Sequence, residues 1–131
     1  MDRYDDISDW ALSILDGAGV KKAFLEGYSF GSTGKVFHIA ENTAILKYNL
    51  WDSNIDIEIL APTTIKKFAT GSGRASKENM YEKFCEENPS VGLQESLTPR
   101  SSNVINPVND IVDAYYILKY GLFNNGKSEK K

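Results

Sequence analysis

The stretch from residue 20 to residue 60, VKKAFLEGYSFGSTGKVFHIAENTAILKYNLWDSNIDIEIL, decides the fold class. Residues 20–26 become apolar toward their end, which predicts a buried strand with Glu26 at its carboxyl edge. Apolar residues then recur at helical spacing over residues 36–51, and residues 55–60 alternate between apolar and acidic side chains, as a second strand does. A strand, a helix and a strand in this order predict an α/β fold.

Helical periodicity predicts four further helices, one before this stretch and three after it. They cover residues 3–16, 62–68, 77–87 and 108–122. Ser76 is the expected N-cap of the third, after a glycine-rich loop at residues 71–76. Residues 88–106 are predicted to be irregular, and the tail at residues 124–131 is predicted to be disordered. Two strands are few for so much helix. Either the pattern does not reveal a further strand, or the chain lacks part of its fold.

The composition excludes several classes of protein. A chain of 131 residues corresponds to one domain, and its net charge of -3 means that attraction to DNA requires a local basic patch. Cys85 is the one cysteine and His38 the one histidine, which excludes a disulfide framework and zinc sites built from several such residues. There is no apolar run long enough to span a membrane and no signal peptide. We therefore expect a cytoplasmic protein without membrane association.

A local basic patch is present at residues 61–80. Its charged residues are Lys66, Lys67, Arg74 and Lys77 against Glu78 alone, a local net charge of +3. Gly71 and Gly73 would let backbone amides approach a phosphate, and the following helix N-terminus favours anions. A solvated basic helix face explains the lysines equally simply, so the glycines are what favour a phosphate-binding role.

Three acidic residues are candidates for metal binding. Asp110 and Asp113 are spaced i, i+3, which places both carboxylates on one helix face, where they could share a hard cation such as Mg²⁺. The alternative is that Asn109 or Asp110 caps the helix and that the acids suit its dipole. Glu26 lies where α/β sheets bind ligands, although a solvated acid at a strand end explains it as well.

The loop at residues 27–34 carries two aromatic residues, Tyr28 and Phe30, that could stack on splayed bases or fold onto the core. Two segments are similar to nucleotide-binding motifs but do not match them. The sequence GSTGKV has Val36 where a phosphate loop needs Ser or Thr, and GSGRAS has Ser76 where a dinucleotide fingerprint needs its last glycine. We expect no nucleotide cofactor.

Three stretches together resemble the phage-type branch of the RuvC-like Holliday junction resolvases, in the ribonuclease-H-like superfamily. They are FLEGYSFGSTGKVFHIAEN at residues 24–42, LAPTTIKKFATGSGRASKENM at residues 60–80 and NPVNDIVDAYYIL at residues 106–118. Their order and spacing carry the resemblance, which covers residues 3–122 and implies a nuclease domain at residues 1–123.

The resemblance implies roles for the candidate residues. The acids that bind metal and act in catalysis correspond to Glu26, Asp110 and Asp113. The lysines beside the active site and the DNA correspond to Lys66 and Lys77, with Lys67 and Arg74 in the same basic segment. An aromatic residue that opens the junction centre corresponds to Tyr28 or Phe30.

The resemblance also implies an activity. It is two-metal hydrolysis of branched DNA with Mg²⁺, or Mn²⁺ as a substitute, in recombination, repair or phage DNA processing. A homodimer is implied, since symmetric nicking of a four-way junction needs two active sites related by a twofold axis. The expected location is the cytoplasm of a bacterium or of a phage-infected host.

One departure from the family pattern is large. The family begins with a strand that carries the first catalytic Asp, followed by two more strands, before the helix that opens here with RYDDISDWA at residues 3–11. We therefore expect a ribonuclease-H-like fold truncated at the N-terminus. Catalysis is expected of the family, whereas activity of this chain alone stays open. The alternatives are a non-catalytic DNA-binding or interaction remnant, and an interaction module whose acids only cap helices.

Overall fold

The computed structural model describes residues 2–27 and 36–129. Within these ranges it contains six helices and two strands. In chain order they are α1 (Asp2–Ala18), β1 (Lys22–Glu26), α2 (Val36–Asp52), β2 (Asp56–Leu60), α3 (Pro62–Thr70), α4 (Lys77–Glu87), α5 (Leu93–Leu97) and α6 (Val108–Glu129). The chain divides into two compact units, Met1–Ile59 and Leu60–Lys131.

The first unit contains the strand, helix and strand that the sequence predicts. β1 and β2 are neighbours in a small parallel sheet, and α2 connects them. Lys22 on β1 bridges the strands, with its Nζ 3.1 Å from Glu58 Oε2 and 3.8 Å from Asp56 Oδ2. α1 packs against α2, and Leu50 near the end of α2 is only 1% exposed. Asp56 and Glu58, the acids that alternate along β2, thus both pair with Lys22 of the neighbouring strand.

The second unit is helical, and its core lies where α3, α4 and α6 pack against one another. Three residues of α6 at a spacing of four form the most deeply buried stripe, and all are at most 1% exposed: Val108, Val112 and Tyr116. α3 contributes Ile65 and Ala69, and α4 contributes Met80 and Phe84. Burial of a large apolar side chain stabilises a fold by roughly 1.5–3 kcal/mol, so this stripe fixes which face of α6 points outward.

The connection between α3 and α4 has the local structure that its sequence predicts. α3 ends at Gly71 in the left-handed region, at φ 88°, and the Gly71 N–H donates to the Lys67 carbonyl at 2.8 Å. Ser76 caps α4, because its side chain accepts from the Asn79 N–H while the Asn79 side chain accepts from the Ser76 N–H. The predicted N-cap is confirmed, and it makes Lys77 the first residue of α4.

Residues 88–106 are less irregular than the sequence predicts, because α5 lies within them. Gln94 organises this segment. Its N–H donates to the Tyr81 hydroxyl at 3.1 Å, and its Nε2 donates to the Ser101 carbonyl at 3.0 Å. These partners are distant in sequence, so local propensity does not reveal the helix.

α6 continues to Glu129, whereas the sequence predicts that it ends near Leu122 with disorder from residue 124. The Asn125 side chain donates to the Gly121 carbonyl at 2.7 Å, and no proline interrupts the segment. α6 is the longest of the described helices at 22 residues. Neither it nor any other helix within residues 2–27 and 36–129 is long and apolar enough to cross a membrane.

Candidate metal and nucleic-acid site

Asp110 and Asp113 both lie in α6, beside the stripe that packs into the core. Asp110 is exposed and Asp113 is half-buried. Their i, i+3 spacing directs both carboxylates to one side of the helix, as the sequence predicts. Val112 lies between them in the sequence and is buried in the core. A rotation of α6 that changed the direction of the two carboxylates would therefore expose Val112.

The structure does not support N-capping as the role of Asn109 or Asp110. α6 begins at Val108, so both residues lie inside its first turn rather than at the cap position. Asp110 does sit where a negative charge favours the helix dipole. That part of the alternative explanation remains, and it does not account for Asp113 in the next turn.

Asp113 is the residue whose surroundings are electrostatically unusual. Burial and the neighbouring charge of Asp110 raise its pKa above the ordinary value, while the charges of Lys66 and Lys77 act to lower it. Lys66 comes from α3 and Lys77 from α4, so the charges that act on Asp113 come from three helices. The roles of these four residues in one site stay predictions.

The two lysines differ in their surroundings. Lys66 is half-buried on α3, and Lys77 is exposed at the start of α4. Of the other predicted DNA contacts, Lys67 is exposed on α3. Arg74 is exposed and lines a polar pocket of about 390 Å³, which Ser72 of the same loop and several side chains of α4 also line. The DNA-binding roles of all four cations stay predictions.

Asp110 has two amide neighbours that the sequence pattern does not identify. Asn109 Nδ2 lies 3.4 Å from Asp110 Oδ1, and the amide nitrogen of Asn106 lies 3.1 Å from Asp110 Oδ2. The Asn106 nitrogen faces the carboxylate because the opposite orientation would set its oxygen against other acceptors. In the sequence, both asparagines lie in the NPVND segment, where they are typical of the start of a helix and do not indicate contacts with Asp110.

Glu26 is exposed at the last position of β1, which is the strand end that the sequence predicts. It belongs to the first unit, and its participation in one site with Asp110 and Asp113 stays a prediction. Among the side chains that the structure describes, no group of three or more His, Cys, Asp or Glu residues could hold a metal ion. Tyr28 and Phe30 lie outside the described residues.

Asp110 and Asp113 fit a hard divalent cation by the chemistry of their donors. Carboxylate oxygens are the preferred ligands of Mg²⁺. The raised pKa of Asp113 means that its negative charge is poorly compensated in the protein alone, since burial and Asp110 together outweigh the two lysines. A divalent cation would supply the missing positive charge.

A second polar cluster ties α4 to α6 and was not predicted. Lys119 Nζ lies 3.0 Å from Glu87 Oε1, and the Tyr116 hydroxyl donates to Glu87 Oε2 at 2.9 Å. Burial acts to raise the pKa of Glu87, but these two hydrogen bonds hold it below its ordinary value. The hydrogen bond to Glu87 raises the pKa of Lys119. The partners are about 30 residues apart, so no short motif could reveal them.

Comparison with known proteins establishes the fold. No protein-family model matches the chain, and no curated protein is significantly similar to it in sequence. Among solved structures, the chain is similar to RuvC from Thermus thermophilus, with a TM-score of 0.61 and 12% identity over 92% of this chain and 70% of that one. At this identity the likeness shows a RuvC-like, ribonuclease-H-like fold, which confirms the predicted fold class. The phage-type branch and the truncation stay predictions.

Proposed function

We propose that this chain is a metal-dependent, structure-selective endonuclease that cleaves branched DNA such as Holliday junctions. The observation that carries the proposal is the grouping around Asp113: Asp110 raises its pKa, and Lys66 and Lys77 act against that rise. Two acids beside two cations suit a site that binds both metal and phosphate. The RuvC-like fold supports the proposal, and the three sequence stretches favour the phage-type branch.

The acids would hold Mg²⁺, with Mn²⁺ as a substitute that accepts the same oxygen ligands. Asp110 and Asp113 supply two carboxylates from one helix face, and Glu26 is proposed as the third. When bound, the metal ions would activate the attacking water and stabilise the charge on the leaving 3′ oxygen. The protein's own contribution is to orient the carboxylates on α6, whose rotation the buried Val112 fixes.

The lysines have two roles in this proposal. In the free protein, Lys66 and Lys77 favour the ionised form of Asp113, which is the form that binds a cation. With DNA bound, they would hold the scissile phosphate, and Lys77 would act as a catalytic residue by stabilising its charge. Lys67 and Arg74 would contact flanking phosphates, and Tyr28 or Phe30 would stack on bases at the junction centre.

Cleavage of a labelled four-way DNA junction tests the proposal. The parent chain, Asp113→Asn and the control Asp9→Asn, an exposed acid of α1, are compared in Mg²⁺ or Mn²⁺. Junction binding is recorded in Ca²⁺ on the same samples. We expect the parent and Asp9→Asn to cleave, and Asp113→Asn to bind with little or no cleavage. Cleavage by Asp113→Asn at the parental rate would overturn the metal assignment.

Two other outcomes would identify the alternative functions. Binding without turnover by the parent would indicate a non-catalytic DNA-binding remnant, and its affinity should then fall steeply with salt. Neither binding nor cleavage would leave an interaction module as the explanation. The proposal also includes a homodimer, since two cuts related by a twofold axis need two sites. The molecular mass in solution tests this part separately.

A further inference from the structure

Asn109 is the buried polar side chain of the part of the chain that the structure describes, at 8% exposure. It lies in the first turn of α6, directly before Asp110. When the Asn106 amide is oriented with its nitrogen toward the Asp110 carboxylate, that nitrogen lies 2.6 Å from Asn109 Oδ1 and 2.8 Å from Asn109 Nδ2. Asn109 Nδ2 is 3.4 Å from Asp110 Oδ1. Burial of an amide is costly unless it is hydrogen-bonded, so these contacts explain how Asn109 is tolerated there.

The Asn106 nitrogen also reaches the carboxylate directly, 3.1 Å from Asp110 Oδ2 and 3.3 Å from Asp110 Oδ1. Asp110 thus has an amide donor from the preceding loop and another from its own helix. An ionised carboxylate only accepts hydrogen bonds, so both amides donate to it. Because Asp110 is exposed, packing does not hold its side chain, and the two amides are what restrict it.

Helix capping does not explain Asn106. A capping side chain presents an oxygen to the backbone N–H groups of the first turn. Asn106 instead presents its nitrogen to the side-chain oxygens of Asn109 and Asp110. Its hydrogen bonds serve the carboxylate rather than the helix end.

We infer that Asn106 and Asn109 are positioning residues, whose amides hold the Asp110 carboxylate in the orientation in which it binds the cation. This inference rests on the proposed function, because it assigns a purpose to Asp110 as a metal ligand. Residues that hydrogen-bond to a ligand restrict its rotamers before the metal arrives, and their loss typically weakens metal affinity or activity about 10–100-fold.

The test compares the parent with Asn106→Ala, Asn106→Gln and the control Asn103→Ala, an exposed asparagine three residues away. The melting temperature is measured without metal and across a Mg²⁺ titration, and junction cleavage is measured across the same titration. For Asn106→Ala we expect a melting temperature without metal close to that of the parent. The Mg²⁺ concentration at half effect should rise about tenfold in both titrations, with cleavage recovering at saturating Mg²⁺.

Asn106→Gln keeps an amide donor and should recover part of the loss, while Asn103→Ala should match the parent. A Mg²⁺ dependence of Asn106→Ala equal to that of the parent would overturn the inference and leave the proposed function standing. A lower melting temperature without metal, combined with an unchanged half-effect concentration, would show a purely structural role and also overturn it. A parent that neither cleaves nor responds to Mg²⁺ would overturn the proposed function itself, and this inference with it.

Discussion

Lys119 Nζ on α6 lies 3.0 Å from Glu87 Oε1 on α4, and the other carboxylate oxygen of Glu87 accepts from the Tyr116 hydroxyl at 2.9 Å. This cluster connects the end of α4 to the middle of α6. Asp113 lies one turn of α6 before Tyr116, and Lys77 lies at the start of α4. The contacts of Glu87 therefore help to fix α4, which carries Lys77, against α6, which carries Asp113.

Glu87→Gln should destabilise the chain at neutral pH. The pKa of Glu87 is held below its ordinary value of 4.5 by Lys119 and Tyr116, against the effect of burial. A lowered pKa gives stability that is present above 4.5 and lost as the pH falls through the folded-state pKa. We expect a loss of about 1 kcal/mol at pH 7, typical of one hydrogen bond in a partly exposed pair, which disappears at low pH.

Urea unfolding at pH 7 and at pH 3 measures this difference. Glu86→Gln is the matched control, since Glu86 forms a surface ion pair with Lys83 one turn before it and its side chain is 59% exposed. Glu86→Gln should change stability little at either pH. An effect of Glu87→Gln that is the same at both pH values would contradict the electrostatic explanation.

Asp113→Asn should stabilise the chain at neutral pH in the absence of metal. Burial and Asp110 raise the pKa of Asp113 above 3.8, so its ionisation opposes folding. For a raised pKa, the contribution to stability is present below 3.8 and is lost as the pH rises through the folded-state pKa. The variant, which cannot ionise, should therefore unfold at higher urea concentration than the parent near pH 7 and show a smaller advantage at pH 3.

Saturating Mg²⁺ should reduce the advantage of Asp113→Asn, because a bound cation stabilises the parent through mass action. Asp9→Asn is the control and should show neither effect. A parent more stable than Asp113→Asn at pH 7 without metal would mean that the lysines outweigh burial and Asp110.

Removing single positive charges from the basic segment should distinguish the lysines that act on Asp113 from a lysine that mainly binds DNA. Lys66→Met and Lys77→Met should reduce the cleavage rate at saturating DNA, because these lysines act on Asp113. Lys67→Met, on the exposed side of α3, should mainly weaken binding. Each lysine that contacts a phosphate should lower the slope of log affinity against log salt by roughly 0.9 when it is removed. Equal effects of all three variants on the cleavage rate would contradict this division.

Gly71→Ala should destabilise the second unit by about 1–2 kcal/mol, because Gly71 has a φ of 88°, which an L side chain adopts only with strain. No neighbouring atom lies within 4 Å of the added Cβ, so the strain of the backbone is the whole effect. Gly17→Ala is the matched control. Gly17 lies inside α1 without a positive φ and also has open space, so alanine there should be neutral or stabilising. Thermal unfolding of both variants measures the contrast.

Local patterns in the sequence predict most of the secondary structure because they depend on neighbours along the chain. Periodicity identifies both strands and five of the six described helices, and Ser76 after the glycine-rich loop identifies the start of α4. Periodicity does not predict an element whose formation depends on contacts between residues distant in the sequence. α5 depends on contacts of Gln94 with Tyr81 and Ser101, and its five residues are too few for a clear period.

The candidate site shows the same division. The i, i+3 spacing of Asp110 and Asp113 and the basic segment are visible in the sequence, since the helix and the charge are local properties. The spacing cannot show that Lys66 lies near Asp113, because that proximity requires α3 and α6 to pack together. The amide of Asn106 is also invisible, because its orientation depends on the acceptors that surround it.

The sequence by itself determined the α/β class, the order of the elements and the residues able to bind a cation or a phosphate, because these follow from periodicity and chemical type. Only the tertiary structure decided which charges meet. Packing of three helices buries Asp113 halfway and exposes it to the charges of Asp110, Lys66 and Lys77. The physical reason is that desolvation and Coulomb interactions depend on distances through space, and the chain acquires those distances only when its helices pack.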